Sequence, residues 1–298
     1  MSKEAQSEWL VSTDWIAKNL ANPDIRIIEV GSLKDQEAYT SGHIPGAVDW
    51  PWQKSLWHPT MREFVTPPDF AELMSKSGVR PDTTVIFYSN LIQYSTYAFW
   101  VCTMRGHKNL KIMNGNRDLW IQEGRPLTQD LPCITPAVYP IRNIDESCRI
   151  GRQGVLAGLE TSARVLVDMR TPDEYMGKRV SPNWFAVDHG AVRKGHIPGA
   201  RHLYYAGLLN EDETFKSPTD LQDAFSGIDA TPDKEIVFYC RLSHRGTMAW
   251  FITRFLLGYP RVKVYDGSWT EWGSIVGLPI VNRSLTMDNI LTKTDSDI

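Results

Sequence analysis

Cys240 and the two arginines that follow it, Arg241 and Arg245, are the residues of this chain whose types and spacing most clearly imply chemistry. A thiol becomes a good nucleophile when it loses its proton, and nearby cations favour that loss. The five residues before it, Glu235 to Tyr239, are apolar on both faces, as in a parallel strand covered by helices. After Gly246, residues Met248, Phe251, Ile252 and Phe255 recur at the spacing of one buried helix face, and Gly258 stands where a C′ glycine ends a helix. Cys240 is therefore expected at the exit of a buried strand, with residues 241–246 as a loop entering a helix. Backbone N–H groups in such a loop converge on one spot, and the helix dipole adds positive charge there. The competing reading is a packing cysteine, which would need neither arginine.

The elements that must position this loop occur twice. Gly42-His-Ile-Pro-Gly-Ala47 returns as Gly195-His-Ile-Pro-Gly-Ala200, Val85 to Tyr88 returns as Ile236 to Tyr239, and Trp120 returns as Trp272. Gly106 and Gly124 have counterparts in Gly258 and Gly277, and all five landmarks are displaced by 151 to 153 residues. A displacement this constant marks a duplicated domain. Strands alternating with helices in each half predict an α/β fold, two tandem domains each built on a mainly parallel sheet flanked by helices. The expected boundaries are 8–128 for the first domain, 129–145 for a proline-containing linker, 146–283 for the second domain and 284–298 for a loose polar tail.

The differences between the halves are informative. Where the second has Cys240-Arg-Leu-Ser-His-Arg245, the first has Ser89-Asn-Leu-Ile-Gln-Tyr94, without the nucleophile or either arginine. The first domain is expected to be catalytically silent. From Glu29 to Gly42 is 13 positions, but from the matching Asp168 to Gly195 is 27. The extra residues lie within 178–194 and carry Arg179, Trp184, His189 and Arg193. They either form part of a pocket wall or make a surface excursion without a role.

Composition narrows the setting. The chain has 298 residues, 42% apolar and 22% charged, with a net charge of -3. This gives no general attraction to nucleic acid or to an anionic membrane, so any anion site must be local. The N-terminal residues show no leader pattern, no run reaches the length of a membrane span, and four irregularly spaced cysteines make no disulfide framework. A reducing, cytoplasmic location is expected. Whether Cys133 and Cys148 pair is not legible from spacing.

Together these motifs, with Tyr265-Asp-Gly-Ser-Trp-Thr-Glu-Trp272, resemble the rhodanese family from about Trp9 to Ile280. The likeness is to the two-domain bacterial thiosulfate sulfurtransferases. It implies that Cys240 is the nucleophile and that residues Arg241, Leu242, Ser243, His244, Arg245 and Gly246 bind substrate. Their amides would cradle the transferred sulfur, and Arg241 and Arg245 would hold a sulfonate. Asp168 and Arg170 match the family's loop-supporting positions; Arg179 and Arg193, from the insertion, join them as supporting candidates. His43 and His196 belong to the glycine–proline turn and are structural. The resemblance further implies thiosulfate as donor, cyanide or a thiol as acceptor (a protein thiol included), no metal or organic cofactor, and a monomer or weak homodimer.

Three other chemistries compete. Mercaptopyruvate sulfurtransferases carry a loop of the type Cys-Gly-Ser-Gly-x-Thr; Arg241 and Arg245 depart from it, while Ser243 keeps this alternative open. Cysteine phosphatases use Cys-x5-Arg, and here the spacing from Cys240 to Arg245 is one residue shorter. A persulfide carrier loaded by a protein donor would need nothing beyond Cys240 and its loop.

Overall fold

The computed structural model describes residues 8–285. Residues 1–7, read above for a leader pattern, and nearly all of the expected loose tail, 286–298, lie outside them. The chain forms two compact units.

The first unit comprises the residues up to Cys148 together with Leu209–Pro218. Its elements are β1 (Leu10–Val11), α1 (Thr13–Lys18), β2 (Ile25–Gly31), α2 (Gln36–Ser41), β3 (Val48–Pro51), α3 (Trp52–Ser55), α4 (Pro67–Lys76), β4 (Thr84–Tyr88), α5 (Ile92–Met104), β5 (Leu110–Met113) and α6 (Arg117–Gln122). Ser12 caps α1 by accepting the Trp15 N–H at 3.1 Å, and Thr66 caps α4 ahead of two prolines. The strands pair in the order β1-β5-β4-β2-β3, every pair parallel. Val85, Ile86, Phe87 and Tyr88 are fully buried, which is why β4 shows no polar alternation. Residues 129–145 contain no helix or strand, yet they are anchored: the Ala137 N–H reaches Ser75 O and the Asp145 N–H reaches Met104 O, both at 2.9 Å.

The second unit comprises Arg149–Leu208 and the chain from Thr219 onward. It contains β6 (Arg149–Ile150), α7 (Arg152–Ala157), β7 (Arg164–Asp168), α8 (Pro172–Met176), β8 (Arg201–His202), a 3-10 turn (Tyr205–Leu208), α9 (Pro218–Ser226), β9 (Glu235–Tyr239), α10 (His244–Phe251), a π turn (Ile252–Leu256), β10 (Val262–Tyr265) and α11 (Ser268–Trp272). Its order, β6-β10-β9-β7-β8, again all parallel, reproduces the first sheet strand for strand. A core of Val155, Leu166, Ile197, Val237, Tyr239 and Trp272 matches Ile16, Ile27, Ile44, Ile86, Tyr88 and Trp120 of the first unit. In both, the histidine of the Gly-His-Ile-Pro-Gly-Ala turn stacks on a tyrosine, His43 on Tyr39 at 4.0 Å and His196 on Tyr175 at 3.9 Å. Each bonds that tyrosine's carbonyl through Nδ1, so both histidines hold the turn.

From β7 the chain crosses one way to β8 and then returns to the other side for β9 and β10. In open parallel sheets, ligands collect beyond the carboxyl ends of the strands where the winding direction reverses. In this unit that place is the end of β7 and β9, where Asp168 and Cys240 stand.

Candidate active site

Cys240 follows β9 directly and is 1% exposed. Its N–H donates to Ser268 Oγ at 3.2 Å, and its carbonyl accepts from the Trp269 N–H at 2.9 Å. Arg241 O is held in turn by the N–H and hydroxyl of Thr270, at 3.2 and 2.8 Å. The turn after β10 thus fastens the base of the reactive loop.

The loop is shorter than the periodicity predicts. Helix α10 begins at His244, so His244 and Arg245 are first-turn helix residues. The early start depends on Ser243, whose φ of 72° lies in the left-handed region. Its hydroxyl donates to Asp266 Oδ1 at 2.9 Å, and Arg149 reaches the other oxygen of Asp266 at 3.4 Å. The first helical bond of α10 runs from the Thr247 N–H to Ser243 O. The N–H groups of His244, Arg245 and Gly246 precede it, at the helix end where the dipole concentrates positive charge. Gly246 packs the helix against the sheet: a Cβ there would lie 3.5 to 3.7 Å from Val264 and the β9 backbone.

The two arginines are placed differently. Arg245 is buried, and its guanidinium makes a two-pronged pair with Glu174, Nη1 to Oε2 at 2.7 Å and Nη2 to Oε1 at 3.0 Å. Burial opposes the charge of Arg245, but Glu174 more than reverses that and raises its pKa. Burial pushes the Glu174 carboxyl up, and Arg245 and Arg170 outweigh it, holding the carboxyl below its usual range. Arg241 is half-buried; its guanidinium donates to His189 O at 3.1 and 3.3 Å and lies over the Phe185 ring at 5.4 Å. Burial first, then the like charge of Arg245, lowers its pKa. Both His189 and Phe185 belong to the insertion, so this segment walls the Arg241 side of the loop. Leu242 is half-buried, and His244 is buried at the helix start.

Asp168 and Arg170 form a fully buried pair with three side-chain bonds of 2.6 to 3.1 Å, and Arg170 also donates to Gly195 O at 2.6 Å. Burial disfavours both charges, and the partner restores each, lowering the Asp168 pKa and raising that of Arg170. The pair clamps the end of β7 to the glycine–proline turn. The first unit builds the same clamp from a different part of the chain: Arg117, at the start of α6, pairs with Glu29 at 3.4 Å and donates to the carbonyls of Ala38 and Gly42. Trp269 stands at the matching place in the second unit, and Arg170 lies over its ring at 4.5 Å. Arg179 donates to Ser181 O and Phe185 O, and Arg193 donates to four carbonyls of residues 272–278. Both brace the insertion and neither side chain is bonded to the reactive loop.

Glu174 is the residue that sequence reasoning missed. Its signal was present: Thr171-Pro-Asp-Glu174 has the spacing of a capping box, and both reciprocal bonds form. The matching acid of the first unit is Asp35, six residues after Glu29 as Glu174 is six after Asp168. Asp35 takes the Ser32 N–H at 2.7 Å and holds Asn90 of the matching loop at 2.9 Å. All four cysteines are free, Cys133 exposed and Cys148 half-buried. Among the described residues no cluster of His, Cys, Asp and Glu could hold a metal ion, and no helix is long and apolar enough to cross a membrane.

Two parallel five-stranded sheets of the same strand order, each flanked by helices, define the class: a duplicated α/β fold, with a cysteine at the exit of the second central strand. This chain belongs to the rhodanese-like family: the rhodanese-like domain matches it twice, over residues 12–123 and 152–275. It is 43% identical over 281 residues to "Sulfur carrier protein TtuD" of Thermus thermophilus, covering 93% of this chain and 97% of that protein. It is 40% identical over 285 residues to "Putative thiosulfate sulfurtransferase SseA" of Mycobacterium bovis, covering 94% and 93%. Among solved structures, EanB in complex with ergothioneine aligns with a TM-score of 0.81 at 25% identity, over 94% of this chain and 71% of that one. A second EanB structure with the same score and identity, covering 94% and 71%, holds ergothioneine covalently linked with a persulfide cysteine.

Proposed function

We propose that this protein is a sulfurtransferase that carries one sulfane sulfur on Cys240, taking it from thiosulfate and passing it to cyanide or a thiol. The observation that carries this reading is Cys240 at the exit of β9, four residues before α10 begins, with Arg241 and Arg245 near enough to feel its charge. The Cys240 thiolate forms a bond to the outer sulfur of thiosulfate while the sulfur–sulfur bond of the donor breaks. Sulfite leaves as a dianion with the electron pair, and a Cys240 persulfide anion remains. Cyanide then bonds to the outer sulfur and departs as thiocyanate, regenerating the thiolate; a thiol acceptor leaves as a persulfide.

The N–H groups of the first α10 turn stabilise the charge carried on the transferred sulfur, a role analogous to that of an oxyanion hole. Arg241 meets the departing sulfite, and each charge-assisted hydrogen bond is worth roughly 1.5–3 kcal/mol. The first unit, with Ser89 at the matching position, takes no chemical step. Mass spectrometry after incubation with thiosulfate tests the reading: one extra sulfur atom on Cys240, absent in Cys240→Ser, is expected. An unmodified Cys240, or full activity in the serine variant, refutes it. A second reading, a persulfide carrier loaded by a protein donor, is favoured by the likeness to a protein named a sulfur carrier. Co-purification of a cysteine desulfurase that loads Cys240 would support it.

A further inference from the structure

The Cys240 loop carries two arginines, but their two charges do not both face a donor. Glu174 is 0% exposed at its side chain and grips the Arg245 guanidinium with both oxygens. It cannot swing away, because Oε2 also accepts the Thr171 N–H at 3.0 Å and the Thr171 hydroxyl at 2.9 Å. The Asp168–Arg170 pair nearby is balanced within itself. Arg241, Arg245 and Glu174 together therefore present one net positive charge, which the Cys240 thiolate cancels. Thiosulfate brings two negative charges into this neutral site. A persulfide donor in its thiol form, R–S–S–H, brings none and releases a single-charged thiolate, which Arg241 alone can meet.

We propose that Glu174 is the specificity-determining residue of the Cys240 site, setting it against dianionic sulfur donors and in favour of persulfides. The inference rests on the reading of Cys240 as the sulfur-carrying nucleophile. In the favoured step the Cys240 thiolate bonds to the outer sulfur of R–S–S–H and the R–S to S–H bond breaks. The electron pair leaves on RS⁻, the proton stays on the transferred sulfur, and the product is the Cys240 persulfide. One disulfide-type bond replaces another, so no oxidant or reductant is required. Thiosulfate remains a substrate, handled against the charge balance.

The test compares kcat/KM for thiosulfate with kcat/KM for the persulfide of N-acetylcysteine methyl ester, which has no other ionised group, using the full chain as wild type, Glu174→Gln and Arg241→Gln. Glutamine keeps the length of Glu174 and removes its charge. One unit charge about 7 Å away at an effective dielectric near 20 changes a rate by roughly fiftyfold for each charge on the donor, so the ratio of a dianion to a neutral donor changes on the order of a thousandfold. Glu174→Gln is expected to raise that ratio and Arg241→Gln to lower it. A merely structural Glu174 would lower both rates together and leave the ratio unchanged, which overturns the proposal. If Glu174→Gln fails to fold, the Arg241→Gln ratio decides, and an unchanged ratio there overturns the proposal as well. Wild-type protein that takes sulfur on Cys240 from neither donor instead refutes the underlying reading.

Discussion

Glu29 and Asp168 occupy matching positions in the two sheets, yet their environments drive their carboxyls in opposite directions. Arg170 binds Asp168 with three bonds of 2.6 to 3.1 Å and overcomes burial. Arg117 stands 3.4 Å from Glu29, and there burial wins: the Glu29 pKa is pushed up from 4.5 to about 7, the bond from Tyr88 and the charge of Arg117 only partly opposing it. Between these two values the native state holds a proton that the unfolded chain has lost. Raising the pH through this window strips that proton and destabilises the first unit; below about 4.5 both states are protonated and the contribution is constant. Each pH unit of the gap is worth about 1.4 kcal/mol, so the whole is worth about 3 kcal/mol, fully lost above pH 7. Glu29→Gln keeps an acceptor for Tyr88 and cannot ionise. In urea unfolding at pH 5, 6, 7 and 8, followed by tryptophan fluorescence, the variant profile is expected to be flatter than the wild type by about that amount. Taking the difference between the two proteins cancels the other titrating groups. Parallel profiles would show that Glu29 is ionised in the fold and that Arg117 pairs with it more strongly than the distance implies.

Three further outcomes follow from the second unit. Arg193→Ala removes bonds to four carbonyls and is expected to lower stability by about 2–4 kcal/mol while sulfur loading of Cys240 at low temperature is retained; calorimetry and mass spectrometry separate the two. Gly190 has a φ of +116°, and a Cβ there would lie 2.6 Å from the Arg241 guanidinium, so Gly190→Ala should displace that arginine. A fall of about tenfold in kcat/KM for thiosulfate, with little change for a neutral donor, is the expected result, and equal losses for both would contradict it. Arg170→Met leaves Asp168 charged and buried without its partner, which costs about 3–5 kcal/mol and should appear as a lowered urea midpoint.

The duplication was legible because constant displacements need no structure to interpret, and the two identical strand orders follow from it. Strand β9 was legible from its unbroken apolar run, which only a doubly covered strand tolerates. The start of α10 was not. A serine with positive φ leaves no compositional trace, so the loop was expected to run three residues past Ser243, through Gly246. The partner of Arg245 was hidden for another reason. Glu174 lies on a five-residue helix with no periodicity of its own, and only its capping spacing marked it. Arg117 illustrates a third limit: two halves that share a clamp need not draw its guanidinium from the same place.

The Ser89 loop keeps two of the supports of the Cys240 loop. Ser89 O accepts the Arg117 N–H at 2.8 Å, as Cys240 O accepts that of Trp269, and Asp35 grips Asn90 where Glu174 grips Arg245. The molecule therefore contains its own internal control. In a Ser89→Cys variant, two thiols would sit at equivalent strand exits in one chain, one with two arginines in its loop and one with none. Their relative rates of alkylation, measured peptide by peptide in a single tube, would separate what the scaffold contributes to thiol reactivity from what the loop's charges add.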